Sequence, residues 1–296
     1  MDASFDRIDG PAATDTVLGA SASPPASPIV LSVPHAGRDY PPALLAALRL
    51  PPSALVVLED RHVDAVAHAA RAHETMLVQR RARAWIDLNR SEYERDPKVD
   101  DGARPQALPL ASSKLRSGLG LVPRRAGAAG DLWRRRFTAA DVAQRIAHDH
   151  RPYHDALAAA LAAARARFGI AVLVDVHSMP PVGPQARVVL GDRFGASSAA
   201  RFVDRAEAEA AALGVRAARN TPYAGGHILE RHAAPARGIH AIQIELDRSL
   251  YLDAHLDALG AGFAATVALL RRMLAALADE ALSAPATAPA TALAAE

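Results

Sequence analysis

The chain predicts an α/β protein, a mostly parallel or mixed sheet covered by helices on both faces. Three observations carry this. Short apolar runs recur along the chain, most of them continuous rather than alternating, as in strands buried on both sides. Helical patterns lie between them. With 296 residues, 50% of them hydrophobic and 22% charged, the chain can bury one large core of ordinary globular composition.

The elements follow in order. Residues 1–27 hold neither a basic leader nor an apolar segment of signal-peptide length and read as a flexible arm. Strands are expected at IVLSV (29–33), ALVVL (54–58), MLVQ (76–79), IAVLVDV (170–176), RVVL (187–190) and AIQIEL (241–246), each a β-branched or aliphatic run bounded by turn residues. Helical spacing marks about 62–73, 138–167, 198–213 and 254–281. Thr138 with Asp141 forms a capping box for the second, and Pro152 breaks or kinks it. Residues 91–136, rich in Gly, Pro, Asp and Arg, read as a long excursion over the active face or a partly disordered stretch. From 283 the Ala/Pro/Thr tail lacks large apolar residues and is expected to be disordered. One domain over 28–282 results.

Composition narrows the function. Lys+Arg 34 against Asp+Glu 32 leaves a formal charge of +2, too balanced to argue for a nucleic-acid partner. No run of about 18 apolar residues exists, so no membrane partner is expected and the cytoplasm is the default compartment. With no cysteine there is no disulfide, thiolate ligand or cysteine nucleophile. A metal would have to be held by imidazole and carboxylate.

Polar groups recur where strands stop, which is where open α/β sheets bind ligands. PIVLSVPHAGRDY delivers His35 onto a turn, LVDVHSMP ends with His177, VVLEDRH ends with Glu59 and Asp60, and AIQIELDRSLY ends with Glu245, Asp247 and Arg248. Each has a plainer reading: a satisfied strand-end histidine, an N-cap for Asp60, a surface pair of Glu245 with Arg248. Together, two imidazoles and a carboxylate with an open position match a catalytic zinc ion, whose bound water falls to a pKa of about 7. A further carboxylate must accept that water's proton, and Glu245 on a buried strand is the best candidate. Asp175 shares a strand face with His177 and suits either a role behind it or a structural hydrogen bond. In RAWIDLNRSEYERD a buried strand is expected to end at Asn89 and Arg90, an amide beside a guanidinium that suits a substrate carboxylate. In RNTPYAGGHI, Tyr223, Gly225 and Gly226 form a turn whose glycines let backbone approach a ligand, and His227 lines the same pocket or is one of twelve histidines without a role.

The ordered series VPHAGRDYP, LEDRHVD, IDLNR, VDVHSMP, NTPYAGG and QIELDRSLY, spanning about residues 29–270, resembles the N-formylglutamate amidohydrolase family, itself distantly similar to zinc carboxypeptidases. That resemblance implies a three-layer α/β/α, phosphorylase/hydrolase-like fold and a zinc-dependent hydrolase. It assigns His35 and His177 as metal ligands, Asn89 and Arg90 as the grip on a substrate carboxylate, and Glu245 as the base. The acidic ligand is Asp60 in preference to Glu59 or Asp64. The implied reaction removes the formyl, or another short acyl, group from an acidic amino acid, in the family's named case giving formate and L-glutamate. A second substrate carboxylate then needs Arg187, Arg248 or an arginine of the 124–136 loop. The alternatives are a carboxypeptidase-like or other N-acyl-amino-acid hydrolase, and a catalytically silent protein that binds an acidic metabolite.

Overall fold

The computed structural model describes residues 4–10, 24–104 and 113–283. Its strands form one sheet of seven: β1 (Phe5–Ile8), β2 (Ile29–Val33), β3 (Thr75–Gln79), β4 (Ala171–Met179), β5 (Val188–Gly191), β6 (Ala217–Arg219) and β7 (Ile239–Asp247), in the order β1-β3-β2-β4-β7-β5-β6. The four central strands β3, β2, β4 and β7 run parallel, as continuous apolar runs buried on both faces predict. β1 joins β3 and β5 joins β7 antiparallel, so the sheet is mixed.

Helices cover both faces. α2 (Val63–Ala70), α6 (Ala200–Ala212) and α8 (Phe263–Ser283) pack on one core with Leu31, Val174, Ile244 and Met273. The opposite core joins α1 (Pro42–Ala47), α5 (Arg151–Phe168) and α7 (His227–His232) to the irregular segment around Ala84–Phe137. Strand alternation decides what each face receives. In β4, Val172, Val174 and Val176 enter the first core and Leu173 the second, so Asp175 and His177 leave the sheet on the second side. The same parity carries Ser32 of β2 and Gln243 and Glu245 of β7 to that side. Register then aligns Ser32 with Asp175, Asp175 with Gln243, and His177 with Glu245.

The chain leaves β2 for β3 on one side and resumes at β4 on the other. Between the carboxyl ends of β2 and β4 lies the switch point where a sheet of this kind opens a crevice.

Four expectations are corrected. ALVVL is not a strand but part of a 3-10 helix, Pro52–Leu58, begun by Pro51 and Pro52, which remove two backbone donors and fix φ near helical values. The segment ending at Asn89 and Arg90 is a loop, its apolar residues Ala84, Ile86 and Leu88 buried by packing alone. Residues 5–8, inside the segment read as a flexible arm, form the edge strand β1; residues 11–23 lie outside the described chain, as does the tail from 284 onward. Finally, the stretch from 254 stays irregular until α8 begins at Phe263, Gly260 and Gly262 each lying where a side chain would strike backbone of Leu252 or Leu250.

Helix 138–167 begins on the predicted capping box: α4 (Ala139–Arg145) starts at Thr138 and Asp141. A π-helical turn, Ile146–His150, then precedes Pro152 and absorbs the missing backbone donor before α5 continues. Among the described residues no helix is long and apolar enough to cross a membrane.

Candidate active site

At the switch point two histidines converge on one carboxylate. His35 follows β2, His177 lies near the end of β4, and Asp60 opens the turn into α2; the Asp60 amide donates to the His35 carbonyl at 3.0 Å, tying two of the three segments together. Asp60 Oδ2 stands 2.9 Å from His177 Nδ1 and 3.7 Å from His35 Nδ1, and the imidazole centroids are 4.8 Å apart. All three side chains are buried.

The far nitrogen of each ring is held by another carboxylate. His35 Nε2 donates to Asp87 Oδ1 at 2.7 Å and His177 Nε2 to Asp175 Oδ2 at 2.8 Å. Held through Nε2, each ring presents Nδ1 on the Asp60 side, the orientation a metal ligand needs. Both carboxylates are anchored in turn. Asp175 accepts from Ser32 Oγ at 2.8 Å, and that hydroxyl meets the Tyr153 hydroxyl at 2.9 Å. Asp87 accepts the Asn89 amide at 2.9 Å and Arg83 Nε at 2.8 Å, so one buried carboxylate positions a histidine, the Asn89 backbone and an arginine.

Electrostatics favour positive charge at this point. Burial works against charge on Asp60, yet His177 and His35 hold its carboxyl well below the usual range; burial also opposes protonation of His177, yet Asp175 and Asp60 drive it well upward. The same carboxylates that favour a protonated His177 would be compensated by a dication. Two imidazoles and a carboxylate, their donor atoms mutually within 4.8 Å, form a set that suits zinc. The rivals for the acidic position are committed elsewhere. Glu59 accepts from Tyr40 and pairs with Arg61, and Asp64 pairs with Arg38 at 2.6 Å.

A cavity of about 310 Å³ opens over this trio, a volume suited to a small metabolite. Glu245 lies in its wall, one strand across from His177, with Oε1 accepting from Gln243 at 2.9 Å. Burial pushes its carboxyl up to about 7, His177 partly offsetting the rise. Asn89, Arg90, Tyr223, Gly225, Gly226 and Arg248 line the same cavity. Asn89 Oδ1 accepts the Ile228 amide at 2.9 Å, and a side chain at Gly226 would lie 2.4 Å from that oxygen, so the glycine makes room for the asparagine. Arg90 is fixed by donating from Nη1 to the Asn89 carbonyl and from Nε to the Leu119 carbonyl at 2.8 Å. Arg248 reaches Asp60 Oδ1 at 3.3 Å and Ser178 Oγ at 3.2 Å.

The structure also redistributes several candidates. Arg187 pairs with Asp247 at 2.9 Å and does not line the cavity, nor does any arginine of 124–136 among the described residues; Arg124, for example, is spent on Asp96 and Asp131. His227 belongs instead to a separate group with His150 and His154 beneath the Asn89 loop. Two cavity residues had no signal in the sequence: Arg83, six residues ahead of Asn89 with no flanking motif, and Lys114, on the short α3 (Ser113–Arg116) of the excursion. Folding of that excursion over the strand ends brings Lys114 in, and the irregular loop after β3 brings in Arg83.

The chain is similar to known proteins over most of its length. The family model for N-formylglutamate amidohydrolase matches residues 27–252. The chain is 30% identical over 236 residues to the N-formylglutamate deformylase of Pseudomonas aeruginosa, covering 76% of this chain and 82% of that protein. The protein of the same name from Pseudomonas putida is 29% identical over the same length. Among solved structures, N-formylglutamate amidohydrolase from Ralstonia eutropha JMP134 superposes with a TM-score of 0.82 at 32% identity, covering 95% of this chain and 99% of the other. The Atu2144 product of Agrobacterium tumefaciens, 22% identical with a TM-score of 0.59 and 96% of it covered, shares the fold. A match over most of the domain, built on the strands that carry the histidines and glutamate, shows that the chain belongs to the N-formylglutamate amidohydrolase family.

Proposed function

We propose that this protein hydrolyses N-formyl-L-glutamate to formate and L-glutamate with one divalent ion, zinc, held by His35, Asp60 and His177. The observation that carries the reading is the convergence of those three donors at the floor of a cavity whose wall holds Glu245. The names of the relatives support the substrate. Residues 28–282 are taken as one amidohydrolase domain, with β1 added at its edge.

When bound, the ion supplies Lewis acidity, lowering the pKa of water and withdrawing electrons from a carbonyl oxygen. The protein does the rest. Asn89 and Arg90 hold the substrate α-carboxylate, Arg90 keeping one terminal amine free of the backbone contacts that fix the others. Glu245 takes a proton from the attacking water as oxygen adds to the formyl carbon. It returns that proton to the amide nitrogen as the C–N bond breaks, leaving formate and a free amine. Arg248 and Arg83, both in the cavity wall and both within the field of Asp60, face the negative charge that grows on the former carbonyl oxygen.

Two variants test this. Glu245→Gln should retain the metal found in wild type and lose about 100- to 10,000-fold in formate release. His177→Ala should lose the metal itself, read by elemental analysis of the purified protein. Normal turnover by Glu245→Gln would show that the base is another group.

A further inference from the structure

The dicarboxylate nature of the substrate raises a question that the metal trio does not answer. Four cationic side chains line the cavity, and three are already matched. Arg83 holds Asp87 at 2.8 Å, Arg248 faces Asp60 at 3.3 Å, and Arg90 lies 3.9 Å from Asp87 while bound to backbone oxygens. Lys114 differs: among the described residues no carboxylate lies within ion-pair distance of it. Its Nζ sits 5.7 Å from the centre of the Tyr223 ring, and Lys114 is exposed where Arg90 and Arg248 are buried, which puts it at the rim.

Resting on the function proposed above, we infer that Lys114 is the specificity residue of the pocket, its ammonium group binding the side-chain carboxylate of the substrate. The division of labour follows from position. Arg248 is occupied at the acyl end beside Asp60, and Arg90 is locked beside Asn89 deep in the wall, so the remaining cation at the mouth is the one a glutamyl side chain meets when its formyl group points at the floor. The Tyr223 face shields that contact from one side and favours a cation there. Partial burial, with the positive fields of Arg90 and Arg83, lowers the Lys114 pKa; a substrate carboxylate reverses that imbalance. A flexible ammonium at a rim suits a terminal carboxylate on a mobile side chain, whereas the planar fork of Arg90 suits the fixed α-carboxylate.

The test compares Lys114→Met and Lys114→Arg with wild type on N-formyl-L-glutamate and on N-formyl-L-glutamine, which keeps the α-carboxylate and replaces only the distal one. Lys114→Met should raise KM for the glutamate substrate about 10- to 100-fold, the worth of one charged hydrogen bond, with kcat little changed. It should leave kcat/KM for the glutamine substrate unaltered, and Lys114→Arg should retain most of the preference. Equal losses on both substrates, or no loss on either, would overturn the inference. Calorimetric titration with L-glutamate and L-glutamine reads the same preference without turnover. If wild type favours glutamate about 10-fold or more and Lys114→Met does not, Lys114 holds the distal carboxylate even should formate release fail; an unchanged preference removes it from that role.

Discussion

A histidine that is to bind a metal through Nδ1 needs its other nitrogen held, and here His177 is held by Asp175 and His35 by Asp87, which also fixes Asn89 and Arg83. Asp87→Asn would leave His35 without its anionic partner and weaken the grip on Asn89 and Arg83 together. The expected loss in metal affinity is about 10- to 100-fold, checked by competition with a chromogenic chelator. Gly226→Ala acts on the same neighbourhood without touching charge. Its added carbon would fall 2.4 Å from Asn89 Oδ1, so the amide must move, and KM should rise while metal content stays constant. Glu245 sets the acid side of the pH profile. As a base it works deprotonated, and burial holds its carboxyl up to about 7, so kcat/KM should climb as pH rises toward that value and level off above it. A bound dication pulls the limb downward, and a kcat/KM profile of the metal-loaded protein that stays flat from about pH 4 to 8 would exclude Glu245 as the base.

At the scale of elements, the site exists because alternation along β4 and β7 places Asp175, His177, Gln243 and Glu245 on one face while their neighbours fill the opposite core. The apolar runs of these strands are legible in the sequence, since continuous hydrophobic stretches are what parallel buried strands require. ALVVL shows the limit of that signal. The same residue types formed a 3-10 helix because two prolines at its start exclude pairing, and a short apolar run does not by itself distinguish the two. β1 was missed for the opposite reason: FDRI has little hydrophobic content and pairs at an edge, with half its residues exposed. Removing residues 1–10 would uncover the β3 edge over Thr75–Gln79. Such a truncation should lower the thermal midpoint and raise light scattering on heating, because an unpaired buried-type strand is a template for association.

For the whole molecule, imidazoles buried in the neutral state set the response to acid. His232 donates to His154 Nδ1 at 2.8 Å while His154 Nε2 donates to the Leu88 carbonyl at 3.0 Å, a chain that closes only if the His154 ring is neutral. Burial pushes His154 well down, His232 to about 3 and His240 to about 4. The unfolded chain takes up these protons below about pH 6.5 and the fold does not, so stability should fall steadily from about pH 6.5 toward 4. His177 is shifted the other way and acts above that window, and Glu245, raised to about 7, opposes the trend inside it as one group against three histidines, so the net fall remains. Denaturant midpoints at a series of pH values check this. Zinc at saturating concentration should raise the thermal midpoint, because only the folded chain brings His35, Asp60 and His177 together; no shift would argue against the metal centre.

The sequence by itself determined the fold class, the two histidines, Glu245 and the Asn89–Arg90 pair, because strand periodicity and motif order are local properties that one chain displays in one dimension. It left open which of Glu59, Asp60 and Asp64 faces the histidines, and it gave no sign of Arg83 or Lys114. Those depend on which side of a turn a carboxylate emerges and on how a long irregular segment settles across the strand ends. Both are fixed only when packing excludes water and forces each buried charge to find its partner.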